Sequence, residues 1–297
     1  MDDGSVDSSA EIAKEHARGD ARFRVLRQPA LGLVQALERA RAEARGRFLA
    51  RMDGDDVALP DRFRAQVELL ESEGLAACGG RVECFPEEAV RDGTRRYEAW
   101  LNSLVTPEAA ARDVFVECPI AHPALVVRRE ALEAVGGYRD CGWPEDYDLL
   151  LRLWARGERF CNVEETVVRW RMHPQRASRI EPAYSLEAFV RCKVNHLLET
   201  LLRGFEGVVV WGAGLVGKSF ARELRRRGTE IAAFVDVDPR KIGHTVYGAQ
   251  VVSVDEAPRY ASAFAIGAVA GEEARMRIRE MAAAQGRCDG VDFVAVA

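Results

Sequence analysis

Residues 47–63 read RFLARMDGDDVALPDRF, a short apolar run that ends in Asp53, Asp55 and Asp56 before Pro60 opens a new apolar pattern. An apolar strand that delivers acids into its following loop predicts an open α/β sheet, in which ligands bind beyond the strand ends. On the N-terminal side FRVL (23–26) predicts a strand and GLVQALERARAEARG (32–46) a helix, so this region runs strand, helix, strand. On the C-terminal side Pro60 suits a first helical turn, and Phe63, Val67 and Leu70 follow at helical spacing to a stop at Gly74. AACGGRVECF (76–85) and HPALVVRR (122–129) predict further strands. PEDYDLLLRLWARGE (144–158) predicts a helix, because acids stand at its start and Gly157 at its end.

A second unit follows. Leu186, Val190, Val194, Leu197 and Leu201 recur at spacings of three and four, which predicts an amphipathic helix ending near Gly204. Beyond it strand and helix signals alternate: GVVVW (207–211), a glycine turn, KSFARELRRRG (218–228), EIAAFVDVDP (230–239), SAFAIGAVA (262–270), EEARMRIREMAAAQG (272–286) and DFVAVA (292–297). The expected organisation is an α/β domain over 1–181, a helical linker over 182–204 and a small Rossmann-like α/β domain over 205–297.

The turn in that second domain fits two patterns. In VVVWGAGLVGKS (208–219), Gly212, Gly214 and Gly217 match the dinucleotide fingerprint, while Gly212, Gly217, Lys218 and Ser219 match a triphosphate-binding loop. Asp236 ends the next strand, about twenty residues on, where an acid meets a ribose in Rossmann folds. This favours nucleotide binding by Gly212, Gly214, Gly217 and Asp236, with Lys218 and Ser219 as ordinary residues of the first helical turn. A packing domain whose glycines only permit a tight turn is the alternative.

With a net charge of -5, the chain lacks the concentrated positive charge that nucleic-acid binding needs, and no nucleic-acid partner is expected. No apolar run approaches the roughly 18 residues of a membrane span, so the expected location is cytoplasmic, with membrane contact only through an acceptor. Seven cysteines without a C-x-x-C pair indicate neither a disulfide framework nor a zinc knuckle.

The acids carry the chemistry. Asp53, Asp55 and Asp56 repel one another unless a cation lies between them, and a divalent ion taking oxygen ligands would relieve this; the alternative is a polar D-G turn. DDGS opens the chain with Asp2 and Asp3, and WPEDYD places Glu145 and Asp146 at a helix start, where acids also complement the helix dipole. The ordered set is DDGS, G-x-x-x-A-L with ARG, MDGDD, HPALVVRREALEAVGGY, EDYDLLLRL and RWRMHPQRAS. Taken together it resembles the family 2 glycosyltransferases of the GT-A fold over about residues 1–180.

That resemblance implies a transferase moving a sugar from a nucleotide-sugar donor to a hydroxyl of a glycan or lipid-linked acceptor, with inversion and with Mg2+ or Mn2+. It places Asp2 and Asp3 at the donor base or ribose, Asp53 near the ribose and Asp55 on the metal, with His173 a further metal candidate. Asp146, with Glu145 beside it in the ED motif, would be the general base. Tyr138, Trp143 and Trp170 would be available to stack on sugar rings, with His122 beneath the site. Two departures stand out. Family members carry a strand, loop, helix and second strand before DDGS, whereas here Asp2 follows Met1, so the domain reads as N-terminally incomplete; and Glu38 stands near a position where relatives often have asparagine. The missing strand, together with the appended binding-like domain, supports a second reading, a non-catalytic nucleotide-sugar-binding or scaffold protein. The stretch 205–297 resembles the small Rossmann-like domains of some sugar methyltransferases and sugar acyltransferases. A P-loop kinase or ATPase is the third reading.

Overall fold

The computed structural model of the protein describes residues 1–297. The chain begins with β1 (Asp2–Asp3), α1 (Ser9–Gly19), β2 (Arg27–Gln28), α2 (Leu33–Glu43), β3 (Phe48–Ala50), β4 (Val57–Ala58), α3 (Arg62–Ser72) and β5 (Ala77–Phe85). Next come α4 (Asp92–Ser103), α5 (Pro107–Arg112), β6 (Val126–Arg128), α6 (Arg129–Ala134), α7 (Glu145–Ala155), β7 (Phe160–Arg171), α8 (Ala177–Ile180) and α9 (Leu186–Glu199). The last third holds β8 (Gly207–Trp211), α10 (Leu215–Arg226), β9 (Glu230–Val235), β10 (Thr245–Val246), β11 (Ala249–Val252), β12 (Phe264–Gly267), α11 (Glu272–Ala284) and β13 (Phe293–Ala295).

The first domain is built on a mixed sheet of order β3-β6-β5-β7-β4, with β1 and β2 paired in a separate parallel ladder. Parallel pairing of β5 with β7 forms its spine, and the register shifts between Gly80 and Val82, which lets β7 bend towards the acidic loop. Buried Gln66 of α3 fastens the helix to the sheet by donating to the carbonyls of Cys78, Gly79 and Ala124. The DGDD loop is thereby held between β3 at one sheet edge and β4 at the other.

The second domain has sheet order β10-β11-β9-β8-β12-β13, parallel apart from β10, with α10 and α11 packed on it. A Cβ on Gly217 would collide with the Gly212 carbonyl oxygen, so glycine is what lets α10 start this close to β8. Gly212 itself sits at φ 109°, in the region glycine favours.

Several expectations need correction. FRVL is irregular and the strand falls at Arg27–Gln28, because β1 is the only partner available there and it pairs with those two residues. Leu186, expected on the buried face, is 59% exposed, since it lies at the N-terminus of α9 ahead of the packed turns. α10 begins at Leu215, so Ser219 stands in its second turn. The strands β4, β7, β10 and β11 and the helices α1, α4, α5 and α6 had no separate sequence reading.

One apolar core runs through both domains. It includes Leu149 and Phe160 of the first, Val190, Cys192, Val194 and Leu197 of α9, and Val208, Phe234 and Phe264 of the second. No helix is long and apolar enough to cross a membrane.

Candidate active site

Beyond the ends of β3 and β7 lies a cavity of about 1080 Å³, lined among others by Asp3, Asp53, Asp55, Asp56, Asp146 and His173. Residues separated by more than a hundred positions meet there because β7 returns beside the DGDD loop. Arg171 at the end of β7 donates its backbone N–H to Asp56 Oδ1 at 2.6 Å and its Nε to the Asp55 carbonyl at 2.7 Å. His173 follows, with Nε2 2.9 Å from Asp55 Oδ2.

The three carboxylates offer one oxygen each within 4.8 Å of one another. Asp53 pairs with Arg51, while Asp56 Oδ2 is buried with no partner. Burial, followed by the charges of Asp53 and Asp55, pushes the Asp56 carboxyl up to about 6, although the Arg171 N–H opposes the shift. A cluster of hard oxygens with one buried and unsatisfied, and a histidine nitrogen at its edge, fits a divalent cation. Arg176, from the loop after β7, lies over the Trp170 ring at 4.4 Å and is held electrostatically by Asp56, Asp53 and Asp55.

The DDGS acids divide. Asp3 lines the cavity, and its carboxylate is set by Gln28 Nε2 at 2.7 Å and by the N–H groups of Leu31 and Gly32 at 3.0 and 2.9 Å. Asp2 does not line it: its carboxylate accepts from the Ser5 N–H and pairs with Arg27 at 3.0 Å, which directs it into the N-terminal turn.

Elsewhere in the cavity lining, α7 opens with the ED pair. Asp146 lines the cavity, and burial, reinforced by the neighbouring Glu145 charge, pushes its carboxyl up to about 6. Glu145 turns inward instead. It is 4% exposed, accepts the Tyr184 hydroxyl at 2.7 Å and lies 3.3 Å from His122 Nδ1. Burial opposes its charge, but His122 and Tyr184 outweigh that and hold its carboxyl below the ordinary range. His122 lines the cavity floor, with Nε2 3.2 Å from the Tyr138 hydroxyl.

Of the three aromatics expected to stack on sugars, only Trp170 reaches the cavity. Tyr138 is buried against His122, and the Trp143 indole donates to Asp148 Oδ1 at 3.1 Å. Asp148 also lies 2.9 Å from His196 Nε2 and accepts from Arg152 Nε at 2.7 Å. With a guanidinium inside it, the Asp148, Cys192 and His196 cluster is a structural ion network and not a metal site. Glu38 has a structural part too: it binds Arg41 and accepts the Tyr138 N–H at 2.7 Å, tying α2 to the turn before α7.

The second domain holds a cavity of about 720 Å³ at the β8 turn, lined by Gly212, Gly214, Asp236, Asp238, Arg277 and apolar residues such as Ile278. Gly217 lies behind it as a packing contact. The Asp236 carboxylate accepts from the Ala213 N–H at 2.8 Å, the Asp238 N–H at 2.9 Å and Lys241 Nζ at 2.9 Å, so it braces the glycine turn as well as facing the cavity. Lys218 and Ser219 do not line this cavity, which removes the basis of the triphosphate-loop reading.

Sequence reasoning missed Arg51, Arg176, Tyr184, Phe189, Tyr97 and Glu117, all at or beside the first cavity. The spacing of Tyr97, Trp100, Leu101 and Leu104 is helical and would have revealed α4. No local signal marks the others.

Residues 1–136 match the family described as glycosyl transferase family 2, and residues 206–288 match the CoA binding domain family. The putative glycosyltransferase EpsE of Bacillus subtilis is 30% identical over 192 residues, covering 63% of this chain and 66% of its own length. The amylovoran biosynthesis glycosyltransferase AmsE of Erwinia amylovora is 28% identical over 141 residues, covering 48% and 51% respectively. The chain therefore spans between about half and two thirds of these two relatives. Among solved structures, TarS 1-349 of S. aureus, in complex with UDP-GlcNAc, aligns at TM-score 0.54 and 14% identity over 76% of this chain and 62% of that one, a likeness of fold.

Proposed function

Because residues 1–136 match glycosyl transferase family 2, we propose that the chain acts through its first domain as a transferase of that family, moving a sugar from a nucleoside-diphosphate donor to an acceptor hydroxyl, with inversion. The observation that carries this is the pairing, across one cavity, of the Asp53, Asp55 and Asp56 cluster with Asp146, a carboxylate raised to about 6. A general base works best when its pKa lies near the operating pH, and Asp146 meets that condition while ionised at neutral pH.

In this reading Asp55 and Asp56, with His173 at the edge, hold a Mg2+ or Mn2+ ion. The ion supplies charge stabilisation to the departing diphosphate. Asp3 and Asp53 face the nucleoside, and Arg176 stands beside the diphosphate. The acceptor oxygen forms its bond to the anomeric carbon as the bond from that carbon to the diphosphate oxygen breaks, and the diphosphate leaves with the electron pair. Asp146 takes the hydroxyl proton. Glu145 shapes this wall by holding His122 and Tyr184. The relative named for amylovoran biosynthesis, AmsE, favours a role in polysaccharide assembly. The second domain binds a nucleotide at Gly212, Gly214 and Asp236 and takes no part in the chemistry.

Calorimetric titration of UDP, GDP and dTDP, with and without Mn2+, tests the donor site. A Mn2+-dependent component of binding that Asp55→Ala weakens at least about tenfold, and that Gly214→Val leaves intact, is the expected result. Binding lost only in Gly214→Val would instead assign nucleotide to the second domain alone and favour a non-catalytic binding protein.

A further inference from the structure

The stretch between β5 and β6 supplies one wall of the catalytic cavity. Thr94 and Tyr97 of α4 are three residues apart, so they share a helix face, and both line the cavity together with Glu117. Facing the same space are Trp170 of β7, Tyr184 from the connection into α9, and Phe189 of α9 itself. The Tyr97 ring packs on Trp100 at 5.7 Å and on Trp170 at 6.3 Å, and its hydroxyl bonds to no protein group. Glu117 uses Oε1 to accept its neighbour's N–H from Cys118 at 2.9 Å, which leaves Oε2 free. A free donor and a free acceptor thus stand among aromatic faces on the Asp146 side of the cavity.

The charge on this wall is selective. Burial, then the charges of Glu117, Cys118 and Asp146, pushes the Tyr97 phenol well above its ordinary value, so it stays a donor. Glu117, Asp146 and Glu181 line the wall against the exposed cation Arg179; the charge of Arg176 also reaches Tyr97 and that of Lys193 reaches Glu117, but Arg176 is drawn chiefly to the Asp53, Asp55 and Asp56 cluster and Lys193 is buried on the Val116 and Val296 carbonyls. An acceptor phosphate would meet like charge here, whereas ring hydroxyls would find both a donor and acceptors.

We infer that this wall is the acceptor subsite, and that the acceptor presents a pyranose ring there, its hydroxyls bonded to Tyr97 and Glu117 and its apolar face laid on the aromatic side chains. The inference rests on the transferase reading and narrows its acceptor to a saccharide end, as distinct from a lipid phosphate. Tyr97 and Glu117 are then the residues that decide acceptor choice.

The test uses the full chain saturated with its preferred nucleoside diphosphate and Mn2+. Saturation-transfer NMR is recorded with methyl glucoside, galactoside, mannoside and N-acetylglucosaminide, and separately with farnesyl phosphate. At least one pyranoside should receive saturation, and its affinity should fall about three- to tenfold in Tyr97→Phe and about tenfold or more in Glu117→Gln. Tyr97→Phe keeps the ring packing, so folding is not at issue. Nucleotide affinity should be unchanged in both variants. Binding of farnesyl phosphate in place of any pyranoside, or pyranoside binding indifferent to both substitutions, overturns the inference and leaves the transferase reading standing. A wild-type chain that binds no nucleoside diphosphate overturns both.

Discussion

At the scale of single residues, two carboxylates carry opposite consequences of the same physics. Asp146 and Asp56 are each raised to about 6, chiefly by burial. For Asp146 the consequence is kinetic: nucleoside diphosphate release from the preferred nucleotide sugar should fall about tenfold per unit below pH 6, and Asp146→Asn should abolish it. A flat profile between pH 5 and 8 would remove Asp146 as the base. For Asp56 the consequence is stability. Its folded value lies above the unfolded 3.8, so the folded state holds the proton more tightly, and the cost of burying the charge is present above pH 6 and relieved as pH falls towards 3.8. Asp56→Asn keeps the acceptor for the Arg171 N–H, so in metal-free buffer it should raise the melting temperature at pH 7.5, with the gain shrinking at pH 5. An unchanged melting temperature at both pH values would place Asp56 in open solvent. The acids themselves were legible in the sequence because several carboxylates in four residues are conspicuous anywhere. Their different duties were not: Asp2 and Asp3 are adjacent in the chain, yet Arg27 and Ser5 draw one into a turn while Gln28 and Leu31 set the other at the cavity.

At the scale of elements, local pattern served well where one face of a helix or strand is buried in a regular way. α3, α7, α10 and α11 follow their apolar spacing and end where glycine or a charged turn allows, as at Gly74 and Gly157, both at positive φ. Short strands such as β2, β4 and β10 have two residues each, too few for any period to show, and exist because a partner strand lies alongside. The start of α10 is where an element depends on one atom. Gly217→Ala would drive a methyl group into the Gly212 carbonyl, so it should destabilise the second domain by about 1–3 kcal/mol, read by urea denaturation, and weaken any ligand held at that turn. Gly214, whose missing side chain would face open space, should tolerate alanine with little change in stability. Equal losses from the two substitutions would mean that the turn is governed by backbone conformation and not by close packing.

At the scale of the whole molecule, the domains are joined by more than a linker. Lys193 of α9 is buried, with Nζ donating to the Val116 carbonyl of the first domain at 2.7 Å and to the Val296 carbonyl of the second at 3.1 Å. Arg279 of α11 reaches back to Asp113 at 2.8 Å. Lys193→Met would strand two carbonyls inside a shared core, at a cost of about 2–4 kcal/mol, and should split a single calorimetric unfolding transition into two. A single transition at unchanged temperature would show that the Lys193 bonds do not couple the two domains. Arg279 and Asp113 stand a hundred and sixty-six positions apart, beyond the reach of any local pattern. By itself the sequence determined two α/β units, the acidic loop at a strand end, the ED pair at a helix start and the glycine turn, because each is written in neighbouring residues whose backbone preferences and periodicity act over one or two turns. Only the tertiary structure decided which acids face the cavity, that α4 and Glu117 form a wall of it, and that the two domains share one core, because those outcomes depend on which distant side chains compete for each carboxylate and each buried face.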